Sequence, residues 1–162
     1  MTYAADTDFL VAVEVRGHEF HRAACDLLAS LLDDGHQIGV TPQGLAEFIH
    51  IATDPRRLSN PMTVKEAIER AERWWQAKET TRILPDFSST LTWMHLLQHH
   101  RLGRKRLLDT MLAAICKACD VQKIITNNEE DFRVFGFLEV VGFRERPDGA
   151  EGRFQRSEAG GQ

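Results

Sequence analysis

The chain has 162 residues, of which 43% are hydrophobic and 27% charged, and its formal net charge is -4. This composition is typical of one soluble globular domain and excludes a disordered chain, and no apolar run approaches the roughly 20 residues needed to span a bilayer. The acidic balance is unusual for a nucleic-acid binder, but carboxylates around a bound cation would reverse the local sign of charge. The first residues lack the basic and apolar regions of a signal peptide, so we expect a cytoplasmic protein.

Short strands alternate with helices along the sequence. The strands are predicted at residues 3–5, 37–40, 81–84, 123–126 and 137–143, the third as a strand or an extended connector. An apolar helical turn is predicted at 7–13, longer helices at 18–32, 42–53, 63–78, 88–101 and 106–119, and a last turn at 128–132. Strands that are separated by helices predict an α/β fold whose parallel sheet is covered on both faces.

Local signals define several of these helix boundaries. Gly35 is expected to end the second helix, and Pro42 suits the first turn of the third. Thr63 and Glu66 have the spacing of a capping box, which predicts that the next helix begins there.

The end of the sequence is poor in large apolar side chains. Between residues 147 and 162 the only one is Phe154, so this segment cannot bury a core of its own. We therefore predict one domain at residues 1–146 and a disordered tail at 147–162.

Four acidic residues lie where the strand and helix pattern changes: Asp6, Glu47, Asp109 and Asp131. In open parallel sheets, ligands bind beyond the carboxyl ends of the strands, and both Asp6 and Asp131 follow a predicted strand. Helix capping remains an equally good explanation for Asp6, and a first-turn acid is the alternative for Asp131.

Glu47 and Asp109 each interrupt a helix that is otherwise apolar almost all the way round. A carboxylate desolvated there needs a cation or good hydrogen bonds, although a lone exposed acid on a buried helix remains the alternative. Ionised carboxylates about 5 Å apart repel by roughly 3 kcal/mol per pair at an effective dielectric of about 20. Convergence of the four acids would therefore require a divalent cation, Mg²⁺ or Mn²⁺, and phosphodiester hydrolysis is the chemistry that such a site most often serves.

A basic run comes immediately before Asp109. It contains Arg101, Arg104, Lys105 and Arg106. A solvated charged loop and a track for phosphate groups explain this run equally well.

Each acid also lies in a short motif. These motifs are Asp-Thr-Asp after the first strand, Leu-Ala-Glu-Phe in a long helix, Leu-Leu-Asp-Thr opening a later helix, and Thr-Asn-Asn-Glu-Glu-Asp-Phe after a strand. In this order they resemble the PIN-domain ribonucleases, specifically VapC-type toxins, over about residues 2–143. The resemblance implies a PIN-like three-layer sandwich with a short central parallel β-sheet flanked by helices. It also implies a metal-dependent endoribonuclease that cleaves cellular RNA and slows translation.

The resemblance assigns roles to individual residues. The catalytic, metal-binding acids would be Asp6, Glu47, Asp109 and Asp131. Supporting polar groups would be Thr7, Thr126 and Asn128, and possible RNA-backbone contacts would be Arg104, Lys105 and Arg106. Asp8 stands where relatives commonly have Asn or Ser, and the resemblance gives it no role.

The partners are also implied by the resemblance. They are an RNA substrate, a cognate antitoxin that inserts into the groove and holds the enzyme inactive, and a second copy of the chain in a homodimer; no membrane partner is expected. Trp74, Trp75 and Trp93 could mark the self-association or antitoxin surface, although packing in the core is the commoner fate of such rings.

Two other functions fit part of the pattern. Asp-x-Asp after a strand suits a phosphatase of the haloacid-dehalogenase type, with Asp6 as nucleophile and Asp8 as general acid, but it leaves Glu47 and Asp109 without a role. A non-catalytic PIN-like interaction module could use the same acids to bind metal for stability or to bind a basic partner. No Gly-rich phosphate loop or serine elbow is present in the sequence.

Overall fold

A five-stranded, wholly parallel sheet lies at the centre of the computed structural model, which describes residues 1–144. Its strands are β1 (Thr2–Ala5), β2 (Gln37–Val40), β3 (Thr80–Arg82), β4 (Lys123–Ile125) and β5 (Glu139–Val141), in the order β3-β2-β1-β4-β5. The chain builds the sheet outward from β1 in one direction and then returns to add β4 on the other side. The strand order thus reverses between β1 and β4, which is where open parallel sheets leave a crevice for ligands.

Helices cover both faces of the sheet. They are α1 (Thr7–Glu14), α2 (His21–Asp33), α3 (Pro42–Ala52), α4 (Val64–Gln76), α5 (Phe87–His99), α6 (Leu107–Ala118) and α7 (Glu129–Arg133), with a 3-10 turn at Arg104–Arg106. The predicted α/β fold with a short parallel sheet between helical layers is confirmed. Within residues 1–144, none of these helices has the length and apolarity needed to cross a membrane.

The alternation of side chains along β1 separates two hydrophobic cores. Tyr3 and Ala5 pack into a core formed with α1, α2, α3 and α4. Ala4 points to the opposite face, where it joins a core built on α6 and the elements around α7. Because successive side chains of a strand face opposite sides, three consecutive buried residues are enough to serve both layers.

The helix boundaries follow the predicted signals closely. Gly35 has a positive φ of 73° and ends α2, with the His36 N–H donating to the Leu31 carbonyl at 2.9 Å. The capping box of Thr63 and Glu66 is present at the start of α4. The predicted start of α2 at residue 18 is wrong by three residues, because the chain forms a turn before the helix begins at His21.

Other boundaries also differ from prediction. The third strand ends at Arg82 rather than residue 84, and the last strand is confined to Glu139–Val141. The predicted tail at residues 147–162 lies outside the described residues, and so does the end of the predicted domain at 145–146. The division at residue 146 stays a prediction.

The tryptophans take up different environments. Trp74 is buried, and its indole N–H donates to Oε1 of Glu14 at 2.9 Å, which links α4 to α1. Trp93 is half-buried and donates to the Leu107 carbonyl, also at 2.9 Å. These contacts hold neighbouring elements together. Trp74 packs in the core and does not form an exposed interaction surface.

Candidate metal centre

Asp6 is the buried acid at the end of β1. It caps α1, and its Oδ1 accepts a hydrogen bond of 2.7 Å from the Thr7 backbone N–H, while its side chain is only 6% exposed. Burial, followed by the negative charge of Asp8 and a smaller contribution from Asp109, raises the pKa of Asp6 to about 8 despite the lowering effect of its hydrogen bonds. A carboxyl in this setting binds a proton or a cation in preference to remaining an isolated charge.

Thr126 joins the end of β4 to the acids that follow β1. Its hydroxyl lies 2.8 Å from Oδ2 of Asp6 and 3.3 Å from Oδ2 of Asp8, so it is shared between the two carboxylates. The backbone N–H of Asn128 donates to the Thr126 hydroxyl oxygen at 3.0 Å. Thr126 is fully buried, and this network fixes the crevice between β1 and β4.

Asp8 packs against the loop that follows β4. Its Oδ2 accepts a 2.8 Å hydrogen bond from the Asn127 N–H, and burial raises the pKa of Asp8. Its Oδ1 is buried and has no hydrogen-bond partner among the described residues. Asp8 therefore has one oxygen that orders the loop and one that is left unpaired within the acidic region.

Glu47 and Asp109 reach the same region from α3 and α6. The Thr7 hydroxyl donates to Oε2 of Glu47 at 3.3 Å. Burial raises the pKa of Glu47, and the charge of Asp109 adds to that increase. Burial also raises the pKa of Asp109, and the charge of Asp131 adds to it, whereas Arg106 opposes it. Asp109 thus interacts electrostatically with each of the other three predicted acids.

Asp131 lies at the more exposed side of the region and is paired with Arg106. Nη1 of Arg106 lies 3.1 Å from Oδ1 of Asp131, and Nη2 donates to the Asp131 backbone carbonyl. The same guanidinium has Nε 3.6 Å from Oδ2 of Asp109. Arg106 therefore connects the acid on α6 with the acid on α7.

The four predicted acids lie in one neighbourhood, with the two threonines in contact with them, but the acids are not closed around a common point. Within residues 1–144, no group of three or more Asp, Glu, His or Cys side chains has the arrangement of a formed metal site. Asn128 contributes its backbone N–H rather than its side chain, while Arg104 and Lys105 are exposed on the 3-10 turn. The functional roles of these residues remain predictions.

The residues present fit a hard divalent cation. Asp6, Glu47 and Asp109 supply only carboxylate oxygens, which are the ligands that Mg²⁺ and Mn²⁺ prefer. Their raised pKa values reflect burial and mutual repulsion, and a buried oxygen of Asp8 has no hydrogen-bond partner within residues 1–144. A bound dication would offset the repulsion among the carboxylates of Asp6, Glu47 and Asp109.

Two residues in this region were not given these roles by sequence reasoning. Asn127 donates its N–H to Asp8, and its side-chain Oδ1 accepts a 2.9 Å hydrogen bond from the Phe143 N–H. The doublet of asparagines after β4 was the available signal. Arg106 was considered only as part of a basic run, and the i, i+3 spacing from Arg106 to Asp109 was the signal for the ion pair.

The fold and the acids define an α/β protein with a carboxylate cluster where the strand order of its sheet reverses. The PIN domain family model matches residues 3–138, and the chain belongs to this family. No curated protein sequence matches the chain.

Solved structures with a similar fold include a toxin and toxin–antitoxin complexes. VapC20 of Mycobacterium tuberculosis, a sarcin-ricin loop cleaving toxin, is 19% identical with a TM-score of 0.65, and the match covers 86% of this chain and 98% of that one. VapBC2 from Rickettsia felis, bound to a promoter DNA fragment, is 16% identical with a TM-score of 0.63, covering 89% and 100%. VapBC-1 from nontypeable Haemophilus influenzae is 14% identical with a TM-score of 0.60, covering 88% and 98%.

Proposed function

We propose that this chain is a Mg²⁺- or Mn²⁺-dependent endoribonuclease toxin that cleaves cellular RNA, inhibits translation and is neutralised by a cognate antitoxin. The observation that carries the proposal is the approach of Asp6, Glu47 and Asp109 from three separate elements to one region of a PIN domain. Asp131 extends the same region through its ion pair with Arg106. The RNA substrate class is supported by the likeness to a toxin that cleaves the sarcin-ricin loop.

The four acids would hold the divalent ion. When bound, such an ion supplies polarisation of a water molecule for attack on phosphorus and stabilisation of charge on the leaving oxygen. The protein's part is to orient the carboxylates: Thr126 fixes Asp6, and Thr7 fixes Glu47. No side-chain nucleophile is required, so the side chains act by binding and positioning.

The exposed basic residues beside the acids would hold the RNA backbone. Arg104 and Lys105 lie on the 3-10 turn that leads directly into α6 and Asp109. Phosphate contacts of this kind position a nucleic acid without reading its sequence. Base recognition in single-stranded or loop RNA would come from polar and aromatic groups around the groove.

The contacts of Glu47 and Asp109 do not favour a haloacid-dehalogenase-type phosphatase. In such a phosphatase Glu47 and Asp109 would be idle, whereas here Thr7 binds Glu47 and the charge of Asp109 acts on Asp6. Membership of the PIN domain family also argues against it. The experiment below distinguishes the proposed endoribonuclease from a non-catalytic interaction module.

The proposed partners are an antitoxin and a second copy of the chain. Neighbouring structures of the same fold include VapBC complexes, which supports the antitoxin. The homodimer is supported by an apolar face of α5, on which Phe87, Leu91 and Met94 follow helical spacing and are exposed. An exposed apolar stripe of this kind is typical of a protein-protein contact. The expected cytoplasmic location stays a prediction.

Incubation of the purified protein, freed of antitoxin, with a structured RNA and Mg²⁺ tests the proposal. We expect internal cleavage that stops with a chelator and is abolished in Asp6→Asn and Asp109→Asn. Cleavage that persists in both variants would identify a contaminating nuclease. Intact RNA with every metal tested would instead support the interaction module, and loss of cleavage only in Asp6→Asn would contradict the role proposed for Asp109.

A further inference from the structure

Arg106 differs from the other basic residues of its run in where its side chain lies. Arg104 and Lys105 are exposed, whereas the Arg106 side chain is only 20% exposed and points into the acidic region. The 3-10 turn directs it there, since the Arg106 N–H donates to the Gly103 carbonyl at 2.9 Å and its own carbonyl accepts from the Thr110 hydroxyl at 2.6 Å. Both backbone polar groups of Arg106, its N–H and its carbonyl, are therefore hydrogen-bonded.

The guanidinium contacts two of the four predicted metal-binding acids at once. It lies 3.1 Å from the carboxylate of Asp131 and 3.6 Å from that of Asp109, and it donates to the Asp131 backbone carbonyl. No other Lys or Arg within residues 1–144 forms an ion pair with any of the four acids. Arg106 is thus the cation that neutralises one half of the cluster.

The contacts of Arg106 are incomplete. Its Nε is buried, and in the described part of the chain it lacks a hydrogen-bond acceptor of good geometry, because the Asp109 oxygen is 3.6 Å away. If Arg106 served only to hold Asp109 and Asp131 in place, its guanidinium N–H groups would be expected to form close hydrogen bonds with both carboxylates. The loose contact to Asp109 is consistent with a group that can be displaced.

We propose that Arg106 is an internal counter-cation that occupies the Asp109–Asp131 side of the cluster in the metal-free protein and competes there with the divalent ion. This inference rests on the proposed function, because it assumes that the same acids bind metal. The positive charge lowers the affinity of the cluster for a dication. Entry of the ion requires the guanidinium to leave at least one of its two carboxylates.

Mn²⁺ binding measured by isothermal titration calorimetry, with no RNA present, tests this proposal. Arg106→Gln is expected to bind Mn²⁺ about tenfold more tightly than the wild type, because a unit positive charge beside the ion is removed. Arg104→Gln is the matched control, since it removes the same charge from the neighbouring exposed position, and its affinity should stay within about twofold of the wild type. Arg106→Lys keeps the charge without the fork and should fall between the two.

Thermal unfolding supplies a second measurement and checks that each variant folds. Without metal, Arg106→Gln should melt below the wild type, because two carboxylates lose their counter-ion, and Mn²⁺ should raise its Tm by more than it raises that of the wild type. Should Arg106→Gln fail to fold, Arg106→Lys carries the test. Equal or weaker Mn²⁺ affinity in the Arg106 variants, with normal binding by the wild type, would overturn this proposal alone. Absence of binding in every protein would overturn the metal-dependent function as well.

Discussion

The hydroxyl of Thr126 donates to Oδ2 of Asp6 at 2.8 Å and so joins two residues that are 120 positions apart in sequence. Each follows a central strand of the sheet, β1 or β4, at the point where the strand order reverses. Asp6 is therefore held by the fold and not only by its own helix, although it also caps α1. The same carboxylate thus caps α1 and lies in the proposed site, so the two roles that the sequence left as alternatives are compatible.

Replacing Thr126 by Val should destabilise the protein by about 1–3 kcal/mol, because it leaves a buried Asp6 oxygen and the Asn128 N–H without a partner at nearly unchanged volume. Urea unfolding in the presence of a chelator measures the difference. Thr126→Ser retains the hydroxyl and should recover most of the loss. Destabilisation by Ser as large as that by Val would contradict this prediction, because Ser keeps the hydroxyl and its hydrogen bonds whereas Val removes them.

The metal-free protein should lose stability as the pH rises from about 5 to 8. The pKa of Asp6 is raised from 3.8 to about 8, so across this range the folded state keeps a proton that the unfolded chain has released. Fewer protons on the unfolded state make the free energy of unfolding fall with pH. Thermal melts with a chelator at several pH values measure the slope, with about 3 °C expected for each kcal/mol in a chain of this size.

The variant Asp6→Asn isolates the part of this slope that belongs to Asp6. It should melt above the wild type at pH 8 without metal, since the amide carries no charge to bury, and the slope should flatten. Burial lowers the pKa of His18, so that residue acts in the opposite direction and is unaffected by the substitution. A slope identical in the two proteins would show that the Asp6 carboxyl titrates near its ordinary pKa.

Mg²⁺ and Mn²⁺ should raise the Tm of the wild type, and a chelator should lower it. The physical reason is relief of repulsion among buried carboxylates, so Asp6→Asn and Asp109→Asn should both lose the response. Asp34→Asn, at an exposed acid after α2, is the matched control and should respond as the wild type does. Melting curves that ignore both ions and chelator would count heavily against a shared acidic pocket.

Charge on the apolar face of α5 should convert the proposed homodimer to a monomer. Leu91 and Met94 are both exposed, so Leu91→Glu leaves the core of the monomer intact while burying a charge in any contact through this face. Light scattering after size exclusion measures the mass, and Glu72→Gln on α4 provides a control at an exposed residue. An unchanged mass in Leu91→Glu would exclude α5 as the contact.

The sequence predicted the fold and the neighbourhood of the site because both depend on local signals. Strands separated by helices predict a parallel sheet, and acids that follow β1 and β4 must then meet at one edge. The contacts of Arg106, Asn127 and Asp8 could not be predicted, since they depend on the direction of the 3-10 turn and on loop conformation after β4. A run of basic residues does not predict that Lys105 is exposed while the next residue, Arg106, points inward.

The central claim is that these acids capture one divalent cation, and anomalous scattering from crystals soaked in Mn²⁺ tests it most directly. We predict a manganese peak in contact with the carboxylate of Asp6 and with at least one of Glu47, Asp109 and Asp131, and no such peak in Asp6→Asn crystals. Soaked crystals that diffract well but show no manganese beside Asp6, or manganese only at surface carboxylates, would contradict the account.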